Sequence, residues 1–208
     1  MSNLIPIISN ITDLLVHADQ QLFLVLNGLH SPFFDGFMYL MSNKLIWAPW
    51  YAFILFLFWK HYKKAFWIIL LMIVLLVTLT DRVSVMLFKD VFERLRPCHE
   101  PALEGMVHLV KNHCGGSYGF ISSHACNSFG VAILAGSLLR KYYKWMFPTL
   151  IGWAVVVSYS RIYLGVHYPG DVLVGALVGC LLGCLVVVIF QRILKRYPRF
   201  ATDPTAKL

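Results

Sequence analysis

The chain has 208 residues, of which 59% are hydrophobic and only 13% are charged. A water-soluble core of this size could not bury so much apolar surface, so the composition indicates a membrane protein built as a single domain, 1–208. The formal net charge of +8 does not indicate nucleic-acid binding, because the basic residues cluster where apolar runs end: Lys60, Lys63 and Lys64; Arg140, Lys141 and Lys144; Arg192, Lys195, Arg196 and Arg199. This positive-inside pattern predicts that the three clusters and the tail, residues 191–208, are cytoplasmic.

The first thirty residues mix apolar and polar side chains. Residues 11–29 are predicted to form an amphipathic helix lying at the membrane interface, with a weakly apolar sixth span as the alternative. No basic stretch precedes the first apolar residues and no small-residue cleavage site follows them, so we expect no removed signal peptide.

Five apolar runs are predicted to span the membrane, at residues 37–59, 65–88, 123–139, 145–163 and 172–190. The first of these spans is interrupted by Asn43 and Lys44. In the last run, Gly175, Gly179 and Gly183 recur at four-residue spacing, which is typical of a face on which helices pack closely. The predicted fold is therefore an all-α polytopic membrane bundle of five to six transmembrane helices, with an amphipathic helix at its N-terminus.

The longest polar region, residues 89–120, has balanced charges and is expected on the outer side, because the basic clusters lie inside. Cys98 and Cys114 flank this loop, and an oxidising compartment would permit a disulfide between them. Such a bond would close a loop of about 15 residues, worth about 3 kcal/mol in the chain-entropy model. The histidines and cysteines of the loop match no tight metal-ligand spacing, so no metal is expected.

The stretch from Ser160 to Asp171 brings a cation, an imidazole and a carboxylate together at the mouth of an apolar helical region. Such groups are costly at a membrane and indicate function. The planar guanidinium group of Arg161 can bind a phosphate with two hydrogen bonds, and His167 can act as a nucleophile or base. Asp171, four residues on, can hold the far ring nitrogen of His167, as the carboxylate of a catalytic triad does.

Two further polar clusters are predicted on the same outer face. Lys89 and Arg96 lie seven residues apart, which is two helical turns and therefore one side of a helix. Ser122, Ser123 and His124 begin the third span, where free backbone N–H groups and the helix dipole favour an anion. Three cations, two histidines and an amide-rich helix start at one membrane face predict a phosphate site.

Asp81 and Arg82 also lie near membrane depth, outside these clusters. A structural pair, or a supporting role beside Lys89, is expected for them.

These clusters resemble the three motifs of the type-2 phosphatidic-acid phosphatase superfamily over residues 89–171. The matching elements, in order and spacing, are Lys89-x6-Arg96-Pro97, Ile121-Ser122-Ser123-His124 and Ser160-Arg161-x5-His167-x3-Asp171. The family's middle motif has Pro and Gly where this chain has Ile121 and Ser123.

The resemblance implies a metal-independent phosphatase without a cofactor. His167 would attack phosphorus and form a phosphohistidine, while Asp171 stabilises the imidazolium. His124 would protonate the leaving oxygen and then activate water, a role typically worth about 10²- to 10⁴-fold in rate. The phosphate would be bound by Lys89, Arg96, Ser122, Ser123 and Arg161.

The expected function is that of a lipid phosphatase in the bacterial inner membrane, with its site facing the periplasm. Undecaprenyl diphosphate is the first substrate predicted, because a short chain with few loops resembles the recycling phosphatases of the family. Lipid A, phosphatidylglycerol phosphate and phosphatidic acid are the alternatives. Two hypotheses come from other classes: a lipid phosphotransferase, and a binder of lipid phosphates without catalysis.

Overall fold

The computed structural model describes residues 4–200 and confirms the all-α prediction. Its main helices are α1 (Leu4–Gly28), α2 (Pro32–Ser42), α3 (Ala48–Tyr62), α4 (Phe66–Arg82), α5 (Ser123–Leu139), α6 (Met146–Tyr163) and α7 (Pro169–Arg196). A π-helical segment, Val83–Lys89, continues α4, and a loop with short helical turns then leads to α5.

Within residues 4–200, two helical segments are long and apolar enough to cross a membrane. They are Lys44–Phe92, which contains α3 and α4, and Pro169–Arg196, which is α7. Helix α5 is a shorter apolar helix. These segments support an integral membrane protein, and the number of spans stays a prediction.

The apolar run at residues 37–59 is not one helix, and that prediction was wrong. Helix α2 ends at Ser42, and the backbone N–H of Asn43 donates to the carbonyl of Leu40. The Asn43 side chain then accepts a hydrogen bond from the N–H of Leu45 at 2.9 Å and starts a 3₁₀ turn. Asparagine side chains compete in this way with continued helix, so α3 begins only at Ala48.

The small-residue face predicted on the last helix is confirmed. Gly175, Gly179 and Gly183 are all buried against α5. A Cβ atom added to Gly183 would lie 2.8 Å from the carbonyl oxygen of Gly130, and one on Gly175 would lie 2.7 Å from that of Ser122. Only glycine therefore allows α5 and α7 to approach this closely.

Helices α4 to α7 alternate in direction, and this brings the residues of the three sequence motifs to one end of the bundle. At the basic end, the Tyr62 hydroxyl donates to the carbonyl of Leu138 at 2.7 Å. At the opposite end, the backbone N–H of Ser122 donates to the carbonyl of Asp171 at 3.0 Å. The starts of α5 and α7 are therefore joined at the end where the sequence motifs meet.

The long loop is fastened to this same end. Asn27, buried at the end of α1, accepts from the N–H of His108 at 2.8 Å and donates to the carbonyl of Tyr163 at 2.8 Å. Cys98 and Cys114 are joined in a disulfide, with their Cα atoms 6.0 Å apart. The loop is thus held beside the C-terminal end of α6.

Candidate active site

His167 lies in the turn between α6 and α7 and is almost fully buried, with 2% of its surface exposed. Its Nδ1 atom is 3.4 Å from Oδ2 of the fully buried Asp171, and its Nε2 atom is 3.2 Å from Nη1 of Arg96. A guanidinium can only donate hydrogen bonds, so Nε2 is the acceptor and Nδ1 carries the proton toward Asp171. The lone pair of Nε2 is therefore directed at the cationic side of the site.

The environment of His167 favours the neutral imidazole. Burial lowers the pKa of His167 well below its usual value, and the nearby cations Arg96, Arg161 and Lys89 lower it further. A neutral ring whose Nε2 atom carries no proton is the form that a nucleophile requires.

Asp171 is held in place by contacts that the sequence motifs do not include. Its Oδ2 atom accepts from the backbone N–H of Tyr168 at 3.0 Å, and its Oδ1 atom accepts from Nη1 of Arg94 at 2.9 Å. The Arg94 guanidinium also lies 4.0 Å from the centre of the Tyr168 ring. Arg94 therefore braces the carboxylate that faces His167.

Arg94 in turn connects Asp171 to helix α1. Its Nη2 atom donates to Oδ2 of Asp19 at 2.7 Å, and Oδ1 of Asp19 accepts from the backbone N–H of Gly170 at 2.8 Å. Asp19 thus also satisfies an N–H group at the start of α7. The sequence patterns missed both Arg94 and Asp19, which were counted as ordinary charges of the loop and of the N-terminal helix.

The three predicted cations converge on the same end of the bundle. Arg96 donates to the carbonyl of Val166 at 3.1 Å, beside His167. Arg161 donates to the hydroxyl of Ser42. The Nε atoms of both arginines are buried and have no hydrogen-bond partner among the described residues, so each has a donor left for an anion.

Lys89 and Arg96 do not lie on one side of a helix, and that prediction was wrong. The helical backbone ends at Phe92, Glu93 is left-handed with φ 45°, and Arg96 is extended.

Lys89 reaches the start of α5 through Ser123. Its Nζ atom donates to the Ser123 hydroxyl at 3.0 Å, and that hydroxyl is also 2.7 Å from the hydroxyl of the buried Ser84. The serine that stands where the family motif has glycine therefore orients the lysine.

Ser122 caps α5. Its hydroxyl oxygen accepts from the N–H of Ala125 at 3.5 Å, and its side chain is fully buried. The structure gives Ser122 this structural contact, and its binding of phosphate stays a prediction.

His124 lies in the first turn of α5. It interacts electrostatically with four nearby residues, which are Arg161, Lys44, His167 and Lys89. It also lines a cavity of about 330 Å³ that extends between the helices. A histidine between a cationic pocket and an apolar cavity can exchange a proton with a leaving group whose phosphate lies in the pocket and whose apolar part lies in the cavity.

An all-helical membrane bundle with a buried histidine among fixed cations is typical of an integral membrane enzyme that acts on phosphate groups. A family model described as PAP2 superfamily matches residues 66–195. The chain belongs to the PAP2 superfamily, and it is a lipid phosphatase, a phosphoric monoester hydrolase.

Two curated relatives are lipid A 4'-phosphatases. That of Bacteroides thetaiotaomicron is 41% identical over 168 residues, which cover 79% of this chain and 73% of the relative. That of Porphyromonas gingivalis is 39% identical over 165 residues, covering 77% and 68%. Among solved structures, a transmembrane PAP2-type phosphatidylglycerolphosphate phosphatase from Bacillus subtilis superposes with a TM-score of 0.67 at 25% identity, covering 88% of this chain and 89% of that one.

The undecaprenyl-diphosphatase of Sulfolobus acidocaldarius is similar over a shorter stretch. It is 47% identical over 60 residues, which cover 29% of this chain and 28% of the relative. The similarity to the two lipid A 4'-phosphatases therefore extends over more than twice as much of the chain as the similarity to the undecaprenyl-diphosphatase.

Proposed function

We propose that this chain hydrolyses a phosphate monoester of lipid A, or of a closely similar phosphorylated glycolipid. The observation that carries the proposal is the likeness to two lipid A 4'-phosphatases over more than three quarters of the chain. The site supports it, because its donors suit a terminal phosphate and its cavity opens from His124 into apolar surroundings suited to an acylated leaving group.

The proposed reaction begins with attack by Nε2 of His167 on phosphorus. A nitrogen–phosphorus bond forms as the bond to the leaving oxygen breaks, and His124 transfers its proton to that oxygen. Asp171, 3.4 Å from Nδ1, stabilises the positive charge that develops on the imidazole. The products of this step are the dephosphorylated lipid and a phosphohistidine.

Water completes the cycle. His124, now neutral, takes a proton from the attacking water, the nitrogen–phosphorus bond breaks, and inorganic phosphate leaves. Lys89, Arg96 and Arg161 hold the non-bridging oxygens in both steps, where charge shifts in the transition state. Fixed positive charge at these oxygens is the contribution of the chain's own residues to the rate.

The proposed location is the bacterial inner membrane, with the site facing the periplasm. The basic clusters lie at the opposite end of the bundle, which the positive-inside rule assigns to the cytoplasm. The disulfide lies at the site end, where an oxidising compartment would maintain it.

The test is phosphate release by the purified protein in detergent, with EDTA present. The substrates are lipid A, undecaprenyl diphosphate, phosphatidylglycerol phosphate and phosphatidic acid. The variant is His167→Ala, and the matched control is His113→Ala, which removes an exposed histidine of the outer loop. We expect the highest kcat/KM on lipid A, abolished in His167→Ala and retained in His113→Ala.

Other results would overturn parts of this proposal. Faster turnover of undecaprenyl diphosphate would restore the first sequence prediction. Phosphate release only after an acceptor alcohol is added would indicate a phosphotransferase. Binding of lipid A without release from any substrate would indicate a binder, and equal release by wild type and His167→Ala would refute the nucleophile.

A further inference from the structure

The cavity beside His124 is lined mostly by apolar side chains, and its polar lining residues are Ser42, Lys44, Asp81, His124, Asn127 and Ser128. Its walls come from the α2–α3 connection and from α3, α4, α5 and α6, and include Tyr51, Ile54, Ile73, Val77, Val131 and Trp153. Asp81 and Asn127 line it as well, and Asp81 is an exposed side chain. A carboxylate in such surroundings is costly, and in a membrane protein it indicates a function.

The hydrogen bonds of Asn127 fix how Asp81 is presented. The Asn127 amide nitrogen donates to Oδ1 of Asp81 at 2.7 Å, and its amide oxygen accepts from the hydroxyl of Thr80. Both ends of the amide are therefore used within the protein. The second carboxylate oxygen of Asp81 remains as an acceptor that can face the cavity.

No salt bridge neutralises Asp81 within residues 4–200. The neighbouring Ser84 hydroxyl donates to the backbone carbonyl of Asp81, not to its carboxylate, and Lys89 donates to Ser123. The structural pair expected between Asp81 and Arg82 is not formed among the described ion pairs. Among the described residues, Asp81 and Lys89 attract each other electrostatically but form no salt bridge.

The position of this acceptor relative to the reaction follows from helix geometry. Asn127 lies three residues after His124, so the two side chains share one face of α5 and are separated by about 5 Å along its axis. His124 is the proposed donor to the leaving oxygen. A hydrogen-bond donor on the lipid that meets Asp81 would therefore lie a few bonds beyond that oxygen.

We infer that Asp81, oriented by Asn127, recognises an amide N–H of the lipid close to the phosphate, and so selects phosphorylated amino sugars. This inference rests on the proposed function and names the feature of the substrate that the site reads. In an N-acylglucosamine 4-phosphate, the amide nitrogen is four bonds from the oxygen that carries the phosphate. A polyprenyl diphosphate carries no donor beyond its phosphates and would leave the second carboxylate oxygen of Asp81 without a hydrogen bond from the lipid, at a cost in free energy.

The experiment compares two synthetic substrates that differ only in this donor. One is an N-acylglucosamine 4-phosphate lipid, and the other is its 2-deoxy analogue without the amide; phosphatidic acid is included as a third lipid. The variants are Asp81→Leu and the isosteric Asp81→Asn, which keeps a side-chain acceptor should the leucine variant fail to fold. Glu104→Gln, at an exposed carboxylate of the outer loop, is the matched control.

We expect wild type and Glu104→Gln to prefer the amide-bearing lipid by more than about tenfold in kcat/KM. Asp81→Leu should reduce that preference to about twofold, and Asp81→Asn should leave it between these limits, with activity on the 2-deoxy lipid almost unchanged. Equal activity of wild type on both sugar lipids, or an equal loss on both in the Asp81 variants, would refute the inference and leave the proposed function standing. Hydrolysis of phosphatidic acid but of neither sugar lipid would refute both.

Discussion

Replacing Arg94 by glutamine is expected to slow the chemical step without weakening phosphate binding. Arg94 bridges Asp171 at 2.9 Å and Asp19 at 2.7 Å, and Asp171 is fully buried. Without Arg94, the carboxylate that faces His167 keeps the Tyr168 N–H but loses its charged donor. The phosphate-binding cations are untouched, so the substrate should bind as before.

The expected size of the effect follows from how far Arg94 lies from the reaction. Disabling the carboxylate of a Ser-His-Asp triad costs about 10⁴-fold in kcat. Removing a group that orients a functional residue, without itself touching the reacting atoms, typically lowers activity about 10- to 100-fold. Arg94 touches Asp171 but not His167, so we expect kcat to fall about 10- to 100-fold and KM to stay within about threefold.

The assay is steady-state phosphate release together with a single-turnover measurement of phosphohistidine formation. Arg94→Lys keeps the charge but cannot bridge two carboxylates with a planar fork, so it should recover part of kcat. Asp19→Asn should show a smaller loss of the same kind, and Arg140→Gln, at the exposed far end of α5, should show none. An unchanged kcat with a raised KM would show that Arg94 binds substrate and would refute the positioning role.

Three further predictions concern packing, the disulfide and pH. Gly179→Leu should prevent folding, because a Cβ atom at this position collides with the backbone of Cys126. Gly152→Ala has open space around it, so this control should fold and melt in detergent at or above the wild-type temperature. Cys98→Ser should lower the free energy of unfolding by up to about 3 kcal/mol, and an unchanged urea midpoint would contradict this. Folding lowers the pKa of His167 below the ordinary histidine value of about 6.5. Below that pH the unfolded chain therefore binds a proton that the folded chain does not, so the free energy of unfolding should decrease as the pH drops below about 6.5. Thermal unfolding at pH 7.5 and 5.0 should show a larger loss in wild type than in His167→Gln.

The motif residues could be predicted because their spacing carries the information. Lys89 and Arg96 are seven positions apart, and His167 and Asp171 are four positions apart, and a single sequence displays such short spacings. The glycines of α7 were found for the same reason, since a four-residue period is visible without a structure. Each of these predictions depended on residues close together in the sequence, although the helix expected to carry both Lys89 and Arg96 ends at Phe92.

The residues that were missed depend on contacts between distant segments. Asp19 and Gly170 are 151 positions apart, and Arg94 and Asp171 are 77 apart. No period or composition in a single sequence relates such positions. The nearest available signal was a second arginine two residues before Arg96, which looked like one charge among several in a balanced loop.

The broken helix at Asn43 shows the opposite limitation, in which a local signal was visible and given too little weight. An asparagine and a lysine inside an apolar run were taken as an interruption of one span, but the Asn43 side chain stops α2 and begins the next turn. This break has a consequence for the site, because the end of α2 brings Ser42 to Arg161 and the turn that follows lines the cavity with Lys44. A continuous helix could not place both groups there, so the irregular backbone at Asn43 is part of how the bundle builds its site.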